Sequence, residues 1–204
     1  MPRLIALCAL VATVLCMQGC GANKAAYTDE WGNPSDAFSG EPTIVSGTLT
    51  EDTVWRGAVL VDGEVLAPEG VTLTIQAGTR ISFAEGVEPS SKIIVEGSIY
   101  AQGDFQTFVL MMGEPRSKEW HGVLMEAGSV GRLAYTQLIG AKVHTRSASS
   151  QISYCQFSEN AGAGLTVEGS NPTVEDSLFR SNVVGLRVIR QAAPDVMNNS
   201  FIGN

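Results

Sequence analysis

Three phenylalanines recur at a strict 22-residue interval, and this spacing limits the folds open to the chain more than any other feature. Each phenylalanine is followed three residues later by an asparagine and preceded five residues earlier by an aliphatic residue. The three sets are Ile152, Phe157 and Asn160; Val174, Phe179 and Asn182; and Val196, Phe201 and Asn204. A repeat this short cannot hold a core of its own, so it must be one unit of a stacked solenoid.

The pattern extends upstream and along the strand that follows each repeat. Leu133 and Leu138 continue the aliphatic and phenylalanine positions at a 19-residue step. Residues 142–146, 164–168 and 185–189 align with one another. Alternation along a strand predicts three columns: Val143, Leu165 and Leu186 inward; His144, Thr166 and Arg187 outward; and Arg146, Glu168 and Ile189 outward beside them.

The asparagines follow the phenylalanines at a predicted turn. An asparagine tolerates a left-handed backbone there, and its amide can hydrogen-bond the equivalent amide of the next repeat. We therefore expect Asn160, Asn182 and Asn204 to form a side-chain ladder beside Phe157, Phe179 and Phe201.

Short alternating runs occupy the rest of the chain from Ile44 onward. Each run is bounded by glycine, proline or an acidic residue, which predicts strands of a few residues separated by turns. The runs are Ile44–Leu49, Ala58–Val61, Val71–Ile75, Ile81–Phe83, Lys92–Val95, Phe108–Met111 and Val123–Met125. No helical periodicity is present in this part, so residues 43–204 are predicted to form one all-β domain. An antiparallel sandwich is the alternative, but the fixed register argues against it.

The amino terminus has the layout of a secretory signal. Arg3 precedes an apolar stretch from Leu4 to Met17, and this stretch is shorter than the roughly 20 apolar residues that a membrane-spanning helix needs. Residues 1–19 are therefore predicted to be a signal peptide, with a permanent membrane span as the alternative. Residues 21–42 lack apolar periodicity and are predicted to be a flexible tether.

The end of the signal contains Met17-Gln18-Gly19-Cys20, which resembles the lipobox of bacterial lipoproteins. The resemblance implies that Cys20 is acylated and anchors the chain to a membrane, with Cys16 as the rival. Since Gly21 rather than aspartate follows, it also implies an outer-membrane location in the cell envelope. Of the four cysteines, Cys155 alone then remains in the folded part, so no internal disulfide is predicted.

The repeat from Gly131 to Asn204, aliphatic-x4-Phe-x2-Asn followed by Gly-Leu, resembles the right-handed parallel β-helix family, which includes pectate lyases, polygalacturonases and many lipoproteins. Residues 65–83 and 119–123 are similar to the first coils of such lipoproteins. The resemblance implies a single-stranded right-handed β-helix of roughly seven coils. Because the sequence ends on Asn204, at the end of a repeat motif, we expect no C-terminal cap.

The catalytic motifs of that family do not occur in this chain. Polygalacturonases have Asn-Thr-Asp, Asp-Asp and Gly-His-Gly motifs, and pectate lyases have Trp-Ile-Asp-His; none is present. We therefore predict no catalytic residue and no cofactor. The net charge of −8 disfavours nucleic acid as a partner.

A ligand or partner surface is predicted at His144, Thr166 and Arg187, with Trp120 as a possible sugar-stacking ring. The bland alternatives are a solvated face, on which Arg146 and Glu168 pair across coils, and a tryptophan that closes a corner of the coil. Glu175 and Asp176 lack a third carboxylate for calcium. His121 and His144 with Met111, Met112 and Met125 could bind copper, as in periplasmic copper proteins with this fold, but such methionines are usually core residues.

These observations favour a non-catalytic, lipid-anchored envelope protein that binds a protein or glycan through its surface or through the open end of its last coil, where it could also self-associate. The first alternative is a degenerate polysaccharide lyase or hydrolase that uses Arg187 and His144 on acidic glycans. The second is a periplasmic copper-binding protein.

Overall fold

The computed structural model describes residues 41–204, and this range contains β-strands and no helix. The strands are β1 (Thr43–Thr48), β2 (Thr53–Trp55), β3 (Ala58–Ala67), β4 (Thr72–Gln76), β5 (Arg80–Phe83), β6 (Lys92–Val95), β7 (Ser98–Gln102), β8 (Val109–Met112), β9 (Gly122–Met125), β10 (Val130–Ala134), β11 (Thr136–Ile139), β12 (Lys142–Thr145), β13 (Ser149–Ser153), β14 (Gln156–Ser158), β15 (Ala163–Glu168), β16 (Thr173–Glu175), β17 (Leu178–Arg180), β18 (Val184–Ile189), β19 (Asp195–Met197) and β20 (Ser200–Ile202). The predicted signal peptide, the acylated Cys20 and nearly all of the tether lie outside the described residues.

All strand pairings in residues 41–204 are parallel, which confirms the all-β prediction and excludes the antiparallel sandwich there. From β6 to β17, each strand pairs with the third strand before it and the third strand after it. The pairings form a 13-stranded sheet and a 7-stranded sheet. Successive strands therefore move from one face to the next and return to the first after three strands, as in a solenoid.

Strand β3 differs from its prediction, which ended it at Val61. The strand continues to Ala67, because Gly63 takes a positive φ of 90° and its N–H donates to the buried Ser91 Oγ at 3.0 Å. The first half of β3 pairs with β5 and the second half with β6. One strand thus joins two arms of the larger sheet.

The register of the repeats is the predicted one. Phe157 lies opposite Phe179 and Phe179 opposite Phe201, while Leu133 and Leu138 lie opposite Ile152 and Phe157. The phenylalanine rings stack in parallel at 4.9 and 4.8 Å between centroids. Phe157 and Phe179 are fully buried, whereas Phe201 is 50% exposed because β20 pairs on one side only within the described chain.

The asparagines form hydrogen-bonded rows along one turn. Asn182 Oδ1 accepts from Asn160 Nδ2 at 2.9 Å, and Asn204 Oδ1 accepts from Asn182 Nδ2 at 3.0 Å. The expectation of a left-handed backbone at the asparagines themselves is wrong. The residues just before them, Glu159, Ser181 and Gly203, have the positive φ, which leaves each asparagine free to turn its amide along the stack.

Candidate functional site

Among residues 41–204, the largest group of charged residues joined by ion pairs lies where β9, β12, β15 and β18 end. These strands pair side by side, so the residues at their carboxyl ends lie above one another on the outer face. We call this group the wall cluster: Glu126, His144, Arg146, Glu168 and Arg190, with Arg187 beside them on β18.

Glu168 is the centre of the wall cluster. Its Oε2 accepts from Arg146 Nε at 3.0 Å and lies 2.7 Å from His144 Nε2, and its Oε1 lies 2.8 Å from Arg190 Nε. Arg146 also donates Nη1 to both carboxylate oxygens of Glu126 at 2.9 Å. The cluster therefore ties four successive repeats together through charge-assisted hydrogen bonds.

The charges of the wall cluster shift one another's protonation. Arg146, and after it His144, hold the pKa of Glu168 below its usual range by hydrogen bonding to the carboxylate. Glu126 and Glu168 raise the pKa of Arg146 in turn. Glu168 is thus ionised at neutral pH, and His144 Nε2 acts as a donor towards it.

The predicted outward column is present, but one expectation about the wall needs correction. His144, Thr166 and Arg187 lie opposite one another in the register, and Arg146 pairs with Glu168 across repeats. Glu168, however, is only 6% exposed and does not lie on a solvated face, because the side chains that bind it also cover it.

The sequence analysis missed two members of the wall cluster, Glu126 and Arg190. The strand register sets Glu168 opposite Ile189, and the alignment ended there. The 22-residue interval would have identified Arg190, since Arg146, Glu168 and Arg190 are spaced at that interval with alternating charge.

Trp120 is partly exposed and stands beside a tightly packed corner. The neighbouring His121 is fully buried, with Nδ1 3.2 Å from Ser91 O; its Nε2 lies 3.2 Å from Glu119 Oε2 but is not aligned for a hydrogen bond. Lys142, 8% exposed, donates Nζ to Glu119 O at 2.8 Å, and burial lowers the pKa of its ammonium. Within residues 41–204, no hydrogen bond or ring contact joins Trp120 to the wall cluster.

The residues considered for metal binding do not lie together, as the ligands of one metal ion would. Met111 and Met125 are fully buried in the core, His121 is buried at its corner and His144 binds Glu168. Asp176, next to Glu175, has a φ of 49° at the turn after β16. Residues 41–204 contain no group of three or more histidine, cysteine or acidic side chains placed to hold a metal ion.

Cys155 is buried directly after a turn. It is 2% exposed, and its Sγ lies 3.4 Å from Leu133 O and 3.3 Å from Ser153 O. Burial raises the pKa of the thiol to about 12, so it stays protonated at neutral pH and is a poor nucleophile.

No protein-family model, no curated protein and no solved structure matches this chain. Within residues 41–204 there is also no helix with the length and apolar character needed to cross a bilayer.

Proposed function

We propose that residues 43–204 form a right-handed, single-stranded parallel β-helix of about seven coils, and that the chain is a non-catalytic, lipid-anchored protein of the cell envelope. The pairing of every third strand supports the solenoid, and β18, β19 and β20 supply the last of the coils. The signal-like residues 1–19 and the lipobox-like Met17–Cys20 support the anchor and an outer-membrane location.

The wall cluster binds an acidic segment of a partner protein in this proposal. The observation that carries it is the binding of one nearly buried carboxylate, Glu168, by Arg146 and His144 from the repeat before it and by Arg190 from the repeat after it. Glu168 holds the guanidinium groups of Arg146 and Arg190 in place, and Arg190 remains 77% exposed with Arg187 also exposed. Ordered guanidinium groups on a face are suited to carboxylates, which they bind through two parallel hydrogen bonds.

Binding fits the wall cluster better than glycoside hydrolysis. A glycosidase needs a carboxylic acid whose pKa is raised, so that it can protonate the leaving oxygen. The pKa of Glu168 is lowered instead, and His144 is engaged with it. His144, one of the two residues named for the degenerate enzyme, is thus held by a carboxylate that is not poised to donate a proton.

The test is the binding of a polyglutamate peptide to the full chain, processed by cells and held in detergent. We expect salt-dependent binding that the double variant Arg187→Glu, Arg190→Glu abolishes. Arg132→Glu, an exposed arginine on β10, is the matched control and should bind like the parent chain. No binding at low salt, or equal binding by the double variant, would contradict the proposal.

Two further measurements separate the alternatives. Unsaturated or reducing ends released from polygalacturonate or alginate, and lost in Arg187→Ala, would favour the degenerate enzyme. Stoichiometric copper in equilibrium dialysis would favour copper binding.

For the anchor, labelled palmitate should enter the parent chain but not Cys20→Ser, which should leave the membrane fraction.

A further inference from the structure

Two tyrosines occupy a backbone conformation that suits other residues. Tyr135, after β10, and Tyr154, after β13, have φ angles of 48° and 52°. The same corner of the next two repeats has Asp176 at 49° and Asn198 at 54°. Asparagine and aspartate visit this left-handed region readily, whereas a bulky side chain there is strained. The corner therefore keeps two aromatic rings at a cost to the backbone.

The strain does not serve the core, because the rings point outward. Tyr135 and Tyr154 stack in parallel at 4.7 Å with an interplanar angle of 8°, and Phe108 meets Tyr135 edge-on at 5.9 Å. Tyr154 is 46% exposed. Since the next position along the corner has the shorter Asp176, no aromatic ring of the described residues stacks on the face of Tyr154 away from Tyr135.

Polar groups border this open ring. The charge of the Asp176 carboxylate raises the pKa of the Tyr154 hydroxyl. Asn198 lies at the same corner one repeat further on. Within residues 41–204, no later repeat covers it, because β19 is the last strand of the 7-stranded sheet. An aromatic face is thus followed by a carboxylate and an amide, both able to hydrogen-bond hydroxyl groups.

A hydrogen-bonded loop that contacts the residue before Tyr135 carries another exposed ring. Asp104 Oδ1 accepts from the amides of Gln106 and Thr107 at 2.9 and 2.8 Å, and Gly103 N donates to Ala134 O at 3.0 Å, next to Tyr135. Phe105 on this loop is 75% exposed. Exposed aromatic side chains on surface loops are common at binding sites.

We propose that this aromatic corner, made of Phe105, Phe108, Tyr135 and Tyr154 with Asp176 and Asn198, is a binding site for a neutral glycan. The apolar C–H face of a pyranose ring stacks on the open face of Tyr154, and the sugar hydroxyls hydrogen-bond Asp176 and Asn198. The adjacent carboxylate and the net charge of −8 disfavour acidic sugars. The site is separate from the wall cluster and does not depend on the function proposed for it.

Calorimetric titration of the full chain in detergent tests the site. The probes are neutral hexasaccharides of glucose, mannose and N-acetylglucosamine, with hexagalacturonate as the acidic comparison. We expect saturable binding of at least one neutral probe and weaker binding of the acidic one. Tyr154→Asn, which installs the residue type of Asn198, should weaken neutral binding roughly tenfold or more, as the loss of one stacked ring does elsewhere.

Two control variants make the result specific. Tyr100→Ala removes a partly exposed tyrosine in the middle of β7, and Arg187→Glu with Arg190→Glu disables the wall cluster; both should bind the neutral probe like the parent chain. Absence of saturable binding to every neutral probe would overturn the proposal, as would unchanged binding by a folded Tyr154→Asn. Stronger binding of hexagalacturonate that requires Arg187 would assign the glycan to the wall instead.

Discussion

The inside and the outside of the stack follow the same 22-residue spacing but use it in opposite ways. Inside, Phe157, Phe179 and Phe201 place like residues over like residues, and their rings stack. Outside, Arg146, Glu168 and Arg190 alternate in sign. Stacking rewards identical apolar side chains but penalises identical charges, so a repeat protein of this kind must conserve its interior from repeat to repeat and vary its surface.

The largest effect should come from breaking the interior ladder. Phe179→Ala removes a fully buried ring that stacks on both sides, and should lower the free energy of unfolding by about 3–5 kcal/mol, because it leaves a cavity. Urea denaturation followed by circular dichroism measures this loss.

Phe201→Ala provides the matched comparison at the end of the same ladder. Since Phe201 is 50% exposed, its truncation should cost about 1–2 kcal/mol. Equal losses in the two variants would contradict the difference in burial.

The next effect should come from the asparagine row. Asn182→Ala removes the Oδ1 acceptor shared by the Nδ2 and backbone N of the buried Asn160 and the Nδ2 donor to the Phe157 carbonyl, which should cost about 2–3 kcal/mol. Asn171→Ala, which loses one exposed bond from Ala193 N, should cost about 0.5 kcal/mol. A comparable loss in both variants would show that burial does not set the strength of the row.

The outer charges should give a smaller, pH-dependent effect. Because the folded pKa of Glu168 is lowered, its contribution to stability is present above the unfolded pKa of about 4.3 and is lost as pH falls through the folded value. The parent chain should therefore lose more thermal stability than Glu168→Gln between about pH 5 and pH 3. Glu69→Gln, an exposed control, should follow the parent; parallel Tm curves for the parent and Glu168→Gln would contradict this.

The smallest effect on stability should come from the aromatic corner. Tyr154→Asn loses the stack on Tyr135, worth about 0.5–1.5 kcal/mol, but relieves the left-handed strain, worth about 1–2 kcal/mol. The two changes nearly cancel, so the urea midpoint should move by the equivalent of about 1 kcal/mol or less in either direction. A loss near that of Phe179→Ala would assign Tyr154 to the core after all.

The interior could be predicted from the sequence because close packing of stacked repeats requires similar side chains at equivalent positions. This is why the positions of Phe157 and Phe179, and of Leu133 and Ile152, follow from spacing alone. The burial of Glu168 could not be predicted in the same way. It depends on side chains from several repeats whose reach varies, and Arg190 lies one residue out of the strand register.

The turns were harder to predict than the strands. A left-handed residue can sit on either side of an asparagine without changing the repeat length, so the sequence did not reveal that Glu159 and Ser181 take this conformation. The aromatic corner was missed because tyrosine is an unusual residue there. The signal peptide, the anchor at Cys20 and the handedness and number of coils stay predictions.

The asparagine row has a direction, and this has a mechanical consequence. The Nδ2 group of Asn160 and of Asn182 donates to the Oδ1 of the asparagine in the next repeat. The row therefore starts at Asn160, whose buried Oδ1 has no partner within the described residues. At this turn, hydrogen bonds between asparagine side chains join the repeats after Asn160, whereas no asparagine side chain joins Asn160 to the repeat before it. Under a pulling force applied along the stack, we expect this turn to open first at the junction before Asn160, while Arg146 and Glu168 of the wall cluster still hold the same two repeats together on another face.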